Sequence, residues 1–542
     1  MSLATIISRA RLGLEAPLVS VEVHLSNGLP SLSIVGMAET AVKESKDRVR
    51  SAILNSQYEF PARRITVNLA PADLPKSGGQ FDLSIALGIL AASGQIPDQQ
   101  FQHMEFLGEL GLNGELRSVP GCLPAAIACG RAGRQFLCPR QNAPEAALCD
   151  QAPVLAAASL LEVCSHLSQH TLLTPLDNQP FEPSGATASS SVSKYGDLRD
   201  VKGQAQAKRA LEIAAAGKHH ALLFGPPGTG KSMLASRLPG IMPPLTQQAA
   251  IEVACVQSLT RQSDTAPGYP LRPFAAPHHT ASAASLVGGG SNPKPGEISL
   301  AHHGVLFLDE LPEFQRQVLE VLREPLECGS IRISRAAAQV EFPARFQLIA
   351  AMNPCPCGYL GHHSPGAKSQ PSGPSHKAPA NTPANHSAIH SNTRHTADNR
   401  CRCSPDQVRR YRNRLSGPLL DRIDLHVPVL ALKKGELYGQ ASGDDSATIQ
   451  ARVQDAHRRQ WQRQGCNNSD LTAAQLEQFC PLTQSQQQLL ENAMLKMGFS
   501  TRVLHRVIKV ARTIADLAGE EHLNDLHFME AFSYRNLDRA LD

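Results

Sequence analysis

The residues best equipped for chemistry are Gly225-Pro226-Pro227-Gly228-Thr229-Gly230-Lys231-Ser232, which fit the pattern G-x-x-x-x-G-K-[ST]. Glycines at this spacing let backbone N–H groups close around phosphate oxygens, and a helix start behind them adds partial positive charge. Lys231 then reaches the β- and γ-phosphates of a nucleoside triphosphate, and Ser232 holds Mg2+. Further along, Gly304-Val305-Leu306-Phe307-Leu308-Asp309-Glu310 is an apolar run ending in two carboxylates. Asp309 suits the Mg2+ shell and Glu310 the polarisation of an attacking water. Phe346-Gln347-Leu348-Ile349-Ala350-Ala351-Met352-Asn353-Pro354 repeats the arrangement with an amide at its end. Taken alone, Asn353 would suit a turn ahead of Pro354; set beside the glycine loop and Asp309, it suits a hydrogen bond to the γ-phosphate or to the water.

These groups need rigid elements to aim them. Ala221-Leu222-Leu223-Phe224 reads as a buried strand entering the glycine loop, and Met233 to Leu238 as the helix leaving it. The runs before Asp309 and Asn353 read as further buried strands that deliver polar groups at their carboxyl edge. A helix carrying Ala207, Ala210, Leu211 and Ala214 precedes the loop. The core is therefore α/β.

Two close cysteine pairs form a second constellation, Cys355-Pro356-Cys357 and Cys401-Arg402-Cys403. Four thiols in two pairs suit tetrahedral, structural Zn2+. C-x-C is a less usual spacing than C-x2-C, and His362 or His363 stands as a substitute for one thiolate. Between the pairs, Ser364 to Thr396 is rich in Pro, Ser, Ala, Asn and His without apolar periodicity, so an insert over about 362–400 is expected to be disordered.

The whole chain bounds these readings. At 542 residues it holds roughly three or four domains. Its net charge of +4 is a weak pointer to an anionic partner. With aromatics at 4% and one Trp, no aromatic base-stacking surface stands out. No apolar run is long enough to span a bilayer, and the first residues lack the pattern of a secretory signal. Thirteen cysteines, mostly scattered singly in apolar contexts, fit reduced buried thiols and a cytoplasmic protein.

Residues 1–170 form a first unit. Val19 to Leu25 alternates like a half-buried strand, Leu32 to Val35 and Ile65 to Leu69 read as strands, and Ala41 to Leu54 and Leu83 to Ala92 as helices. Pro75-Lys76-Ser77-Gly78-Gly79, Gly108-Glu109-Leu110, Gly114 and Val119-Pro120-Gly121 resemble the C-terminal domain of Lon-type proteases, an α+β fold like that of ribosomal protein S5. The place of the protease's nucleophile holds Gln80, and no lysine follows between Val119 and Ala126 to serve as base. The resemblance thus implies a scaffold or partner-binding module without protease residues. Residues 171–196, rich in Pro, Ser, Thr and Ala, read as a flexible linker.

With these motifs assembled, the chain resembles the AAA+ ATPases, and within them the magnesium-chelatase-like ComM (YifB) family. The strings that carry it are Ala276-Pro277-His278-His279-Thr280, Pro295 to His302, Asn353 to Gly358, and Ser416 to Asp424. The resemblance implies an ATPase core over 197–430, a helical lid over 431–542, and a hexameric ring with ATP sites between subunits. It further implies movement of single-stranded or branched DNA by ATP hydrolysis, such as branch migration in natural transformation, alongside recombination proteins and without a membrane. By the same resemblance Arg422 is the arginine offered to a neighbour's γ-phosphate, and Arg502 the second sensor, with Arg506 as its alternative. An Arg422 flanked by Asp421 and Asp424 also suits a local ion pair. Two insertions, one from His278 to Leu300 and one a hairpin from Ile331 to Phe342, would face DNA with Lys294, Arg332 and Arg335. A chelatase-type ATPase that remodels a protein or assists metal insertion is the competing reading.

Overall fold

The computed structural model describes residues 2–36, 42, 44–177, 194–260, 271–290, 293–334, 339–360, 401–432 and 443–535. The insert expected over 362–400, with His362 and His363, lies outside the described residues, as does Arg335. Most of the expected linker does too. Its first residues still dock, for Leu176 N donates to the Val154 carbonyl at 2.9 Å.

The chain divides into two compact units. The first comprises residues 1–194, 244–307 and 317–347. Its opening sheet runs in the order Ser2–Arg9, Leu18–Ser26, Arg64–Ala70, Ser31–Val35. The last two strands are parallel and the other neighbours antiparallel. Leu18–Ser26 alternates strictly between buried and half-buried side chains, as its sequence pattern requires. The helix Asp82–Ala92 packs on this sheet and is buried on nearly every side. Gly88 permits the approach, since a Cβ there would meet Val23 Cγ2 at 2.4 Å.

A parallel sheet of Met104–Phe106, Gln135–Pro139 and Val154–Ala157 follows. Fully buried Glu105 takes Arg9 at 2.6 Å and Arg134 at 3.0 Å, so its charge is compensated where water cannot reach it. The helix Gln247–Ser258 supplies Ala254 and Cys255 to the core around the helix Cys122–Arg131. Lys76 is buried and its Nζ donates to the Pro71 carbonyl, while Gln80 Nε2 donates to the Arg9 carbonyl at 2.9 Å. Burial lowers the Lys76 pKa.

The second unit comprises residues 195–243, 308–316 and 348–542. Ala221–Phe224 runs parallel to Gln347–Met352 on one side and Leu425–Pro428 on the other. All three strands are almost wholly buried, which explains their unbroken apolar sequence. The helices Ala205–Gly217, Ser446–Gln464 and Thr501–Ala518 pack against one another. Val503, Val507, Val510 and Ile514 form the buried stripe expected of the last. Each such side chain contributes about 1.5–3 kcal/mol on burial.

A polar network links the strand end to these helices. Asp424 accepts from the His220 backbone N–H at 3.1 Å, contacts His219 at 3.4 Å and pairs with Arg506. His219 Nε2 lies 2.8 Å from Thr513 Oγ1, which also accepts from Asn468 at 3.0 Å. Buried Asp516 holds both Arg463, at 2.7 Å, and Arg512, at 3.0 Å.

Candidate functional site

The site is built at the carboxyl edge of the second unit's strands. Register pairs Phe224 with Met352, so Gly225 and Asn353 leave the sheet side by side. The Gly225 N–H donates to the Met352 carbonyl at 3.2 Å. Only glycine fits at Gly225, because a Cβ would stand 2.0 Å from the Val429 carbonyl oxygen. Gly228 and Gly230 have φ of 75° and 87°, and a Cβ on either meets nothing within 4 Å. The loop is therefore left-handed at two points and open above them, a concavity of backbone suited to phosphate oxygens. Thr229 Oγ1 ties the loop to itself through the Pro226 carbonyl at 2.9 Å. The helix Lys231–Ile241 starts at once behind it and directs its N-terminal charge into the loop.

Lys231 Nζ donates to the carbonyls of Gly225 at 2.8 Å and Pro226 at 2.9 Å, and to Asn353 Oδ1 at 3.2 Å. Three acceptors match the three protons of an ammonium. They also fix the Asn353 amide, because an ammonium accepts nothing and must face the oxygen. The Asn353 NH2 is thereby left as the donor end of the amide. Burial lowers the Lys231 pKa, and the charges of Asp309 and Glu310 oppose that shift.

Ser232 Oγ donates to Asp309 Oδ2 at 2.7 Å. A hydroxyl and a carboxylate held this close are the hard oxygen donors that Mg2+ prefers, so these residues fit the ion. Bound there, it would neutralise charge on a phosphate chain. Asp309 Oδ1 accepts the Glu310 backbone N–H at 2.9 Å. Glu310 holds φ 51° and ψ 46°, and its carbonyl accepts from Glu313 N at 2.7 Å. A left-handed non-glycine residue is a costly conformation that clusters at working sites, and here it lifts an exposed carboxylate off the strand end.

The arginines are placed differently. Arg422 is mostly buried and its Nη1 donates to the Pro418 carbonyl at 2.5 Å. Its neighbour Asp424 pairs with Arg506. Burial opposes ionisation of Asp424, yet Arg506 and His219 hold its carboxyl well below the usual range. Arg506 also donates to the Arg422 carbonyl at 2.9 Å. Arg502, one turn earlier on the same helix, is exposed.

In the first unit, exposed Lys294 lies on the short hairpin of Gly288–Gly289 with Lys294–Pro295. Exposed Arg332 lies on the Ser330–Ser334 and Gln339–Pro343 hairpin and pairs with Glu341 at 3.3 Å.

The four thiols converge. Cys355 Sγ stands 3.3 Å from Cys357 and 3.7 Å from Cys401, Cys357 stands 3.6 Å from Cys401, and Cys403 completes the group within 4.8 Å. All are free of disulfides. Sequence reasoning missed another cluster, in the first unit. Glu252 Oε2 meets His302 Nε2 at 3.1 Å and His303 Nε2 at 2.8 Å. His302 Nδ1 accepts the Arg345 backbone N–H, so its Nε2 carries the proton and donates to Glu252. That tautomer makes the group a hydrogen-bonded clasp. Sequence reasoning also missed Gln204, whose amide donates to the Leu430 carbonyl at 2.6 Å and the Thr229 carbonyl at 3.4 Å, bracing the phosphate loop. Its left-handed φ of 58° gives no signal in residue type.

Comparison with known proteins agrees with this architecture. Residues 197–377 and 382–437 match the family described as magnesium chelatase, subunit ChlI. Residues 21–142 match subunit ChlI of Mg-chelatase, and 443–535 its C-terminal part. The chain is 48% identical to Competence protein ComM of Haemophilus influenzae, over 100% of this chain and 99% of that protein. It is 47% identical to the uncharacterized protein YifB of Salmonella typhimurium and 45% to that of Escherichia coli, over 100% of this chain and 98% of each relative. Matched end to end at such identity, the chain belongs to the ComM/YifB family of magnesium-chelatase-like proteins.

Proposed function

We propose that this protein is an ATP-hydrolysing DNA motor that works as a hexameric ring in the cytoplasm, with branch migration during natural transformation as its task. The observation that carries the nucleotide half is the joint geometry of Lys231 with Asn353 and Ser232 with Asp309. In this reading Lys231 and the loop from Gly225 to Ser232 bind the phosphates of ATP, and Ser232 and Asp309 hold Mg2+. Glu310 polarises the attacking water, and the Asn353 NH2 donates to that water or to the γ-phosphate. Arg422 leaves its own chain's Pro418 carbonyl to stabilise charge in a neighbour's site, and Arg502 senses nucleotide from the helical lid. Arg506 is less suited to that second role, since Asp424 holds it.

The DNA half is supported by the full-length relation to a competence protein. Lys294, Arg332 and Arg335 would contact backbone phosphates from loops lining the ring. The N-terminal Lon-like domain acts as a scaffold, its buried Lys76 and Gln80 being engaged in structural hydrogen bonds. Structural Zn2+ on Cys355, Cys357, Cys401 and Cys403 belongs to the same reading, as do recombination proteins as partners.

The second reading, a chelatase-type ATPase acting on a protein or on metal insertion, is favoured by the family matches to magnesium chelatase. ATP hydrolysis measured with single-stranded, duplex and branched DNA separates the two. Stimulation by any of these supports the motor, and equal rates with and without DNA support the remodelling ATPase.

A further inference from the structure

The thiol cluster sits against the nucleotide site. Cys355 and Cys357 follow Asn353 after Pro354, and Gly358 closes their turn by donating its N–H to the Cys355 carbonyl at 2.9 Å. Gly358 has φ 83°, and a Cβ there would lie 2.7 Å from Pro227 Cδ and 3.8 Å from Asn353 Cγ. The turn between the thiols and the phosphate loop therefore has no room for a side chain.

The other pair lies just ahead of a second wall. Ser404 follows Cys403 and caps the helix Pro405–Arg412 through a reciprocal bond with Gln407. That helix buries Tyr411, whose hydroxyl lies close enough to the Asn353 backbone for that N–H to favour its ionised form against the opposing effect of burial. Just beyond it, Arg414 donates to the Pro312 carbonyl at 3.2 Å and pairs with Glu313 at 2.7 Å. Glu313 belongs to the turn that fixes the backbone of Glu310. Joining the two cysteine pairs would thus hold Pro227, Asn353 and the Glu310 turn as one frame.

The sulfur spacing names the joining group. A disulfide needs sulfurs about 2 Å apart. A tetrahedral Zn2+ with thiolates at about 2.3 Å sets its sulfurs about 3.8 Å apart; two pairs here lie at 3.6 and 3.7 Å, and Cys355 and Cys357 are closer, at 3.3 Å, still far outside a disulfide. Most of this chain's other cysteines, such as Cys122 and Cys129, are buried, with Cys328 exposed and Cys466 half-buried; among the described residues only these four bring more than two thiols together.

We propose that Cys355, Cys357, Cys401 and Cys403 bind one Zn2+ and that this centre positions the ATP site, its ion stapling Asn353 and the Tyr411 helix together against Pro227. The positioning role rests on the reading of that site as an ATPase; the metal site does not. Binding releases the thiol protons, and no redox step is involved.

Three measurements on the full-length protein test it. Metal analysis is expected to find one Zn2+ per chain, and Co2+ replacement a thiolate–cobalt absorption band, both lost in Cys401→Ser/Cys403→Ser. Absence of zinc together with absence of the cobalt band overturns the site. Hydrogen exchange of 225–232 and 350–358 is expected to quicken when zinc is stripped by chelator and to recover on reloading, a comparison that needs no variant to fold. Identical exchange with and without zinc overturns the positioning role. Steady-state hydrolysis is expected to show kcat reduced about tenfold or more in the zinc-free protein with a smaller change in KM. A zinc-free protein with wild-type kcat also overturns positioning. A zinc-loaded wild type that responds in exchange but hydrolyses no ATP leaves the centre standing and removes the ATPase reading.

Discussion

Lys231 and Asn353, 122 residues apart, are joined by a 3.2 Å hydrogen bond from ammonium to amide oxygen. The phosphate loop and the Asn353 strand end thus share one charge. Asn353→Ala removes one acceptor from Lys231 and the amide's NH2 donor together. Its expected effect is a fall in kcat of about tenfold or more with KM little changed, since a donor aimed at developing charge acts mainly in the transition state. Steady-state ATP hydrolysis checks this, and a pure KM effect would place Asn353 in binding alone.

Ser232 and Asp309 make the second pair. Asp309→Asn keeps the shape and lowers the charge offered to Mg2+. The expected outcome is a higher Mg2+ requirement for hydrolysis, measured by titrating the metal at fixed ATP. An unchanged requirement would remove Asp309 from the metal shell.

The arginines on the Thr501–Ala518 helix should separate by readout. Arg506→Ala leaves Asp424 buried with one partner fewer, a change that costs about 3–5 kcal/mol in buried pairs and should lower the melting temperature. Arg502→Ala, at an exposed position, should lower melting less than Arg506→Ala and reduce turnover. Thermal melts and ATPase rates on both variants decide the assignment; the reverse pattern would make Arg506 the sensor.

Much of this site was legible in sequence because each part is local. A strand, a glycine loop and a helix start lie in one continuous stretch, and apolar runs ending at Asp309 and Asn353 announce their own edge positions. The buried stripe of Val503, Val507, Val510 and Ile514 was legible by the same periodicity. Pairings across the chain were not. Nothing in the spacing says that Asp424 takes Arg506, 82 residues on, because only the packed helix brings that guanidinium to it. The left-handed backbone at Gln204 and Glu310 is likewise imposed by neighbouring contacts, without the glycine that would have flagged it.

The pH dependence of the second unit has a defined sign. Burial, opposed by the charge of Asp424, pushes the His220 pKa down to about 4. Its Nδ1 accepts the Leu348 N–H at 3.0 Å, which requires the neutral ring. The unfolded imidazole titrates near about 6.5, so the unfolded state binds the proton first. Stability is therefore full above about 6.5 and declines as pH falls towards about 4. Melting temperatures across this range should drop in the wild type and drop less in His220→Gln; parallel curves would contradict the assignment.

The central claim is that hydrolysis at Lys231 drives movement of DNA. Branch migration of a synthetic four-way junction, with ATP and Mg2+, compares the wild type with Lys231→Ala. The account predicts ATP-dependent strand exchange by the wild type and none above background by the variant. No migration by a wild type that hydrolyses ATP, or equal migration by both proteins, would contradict it.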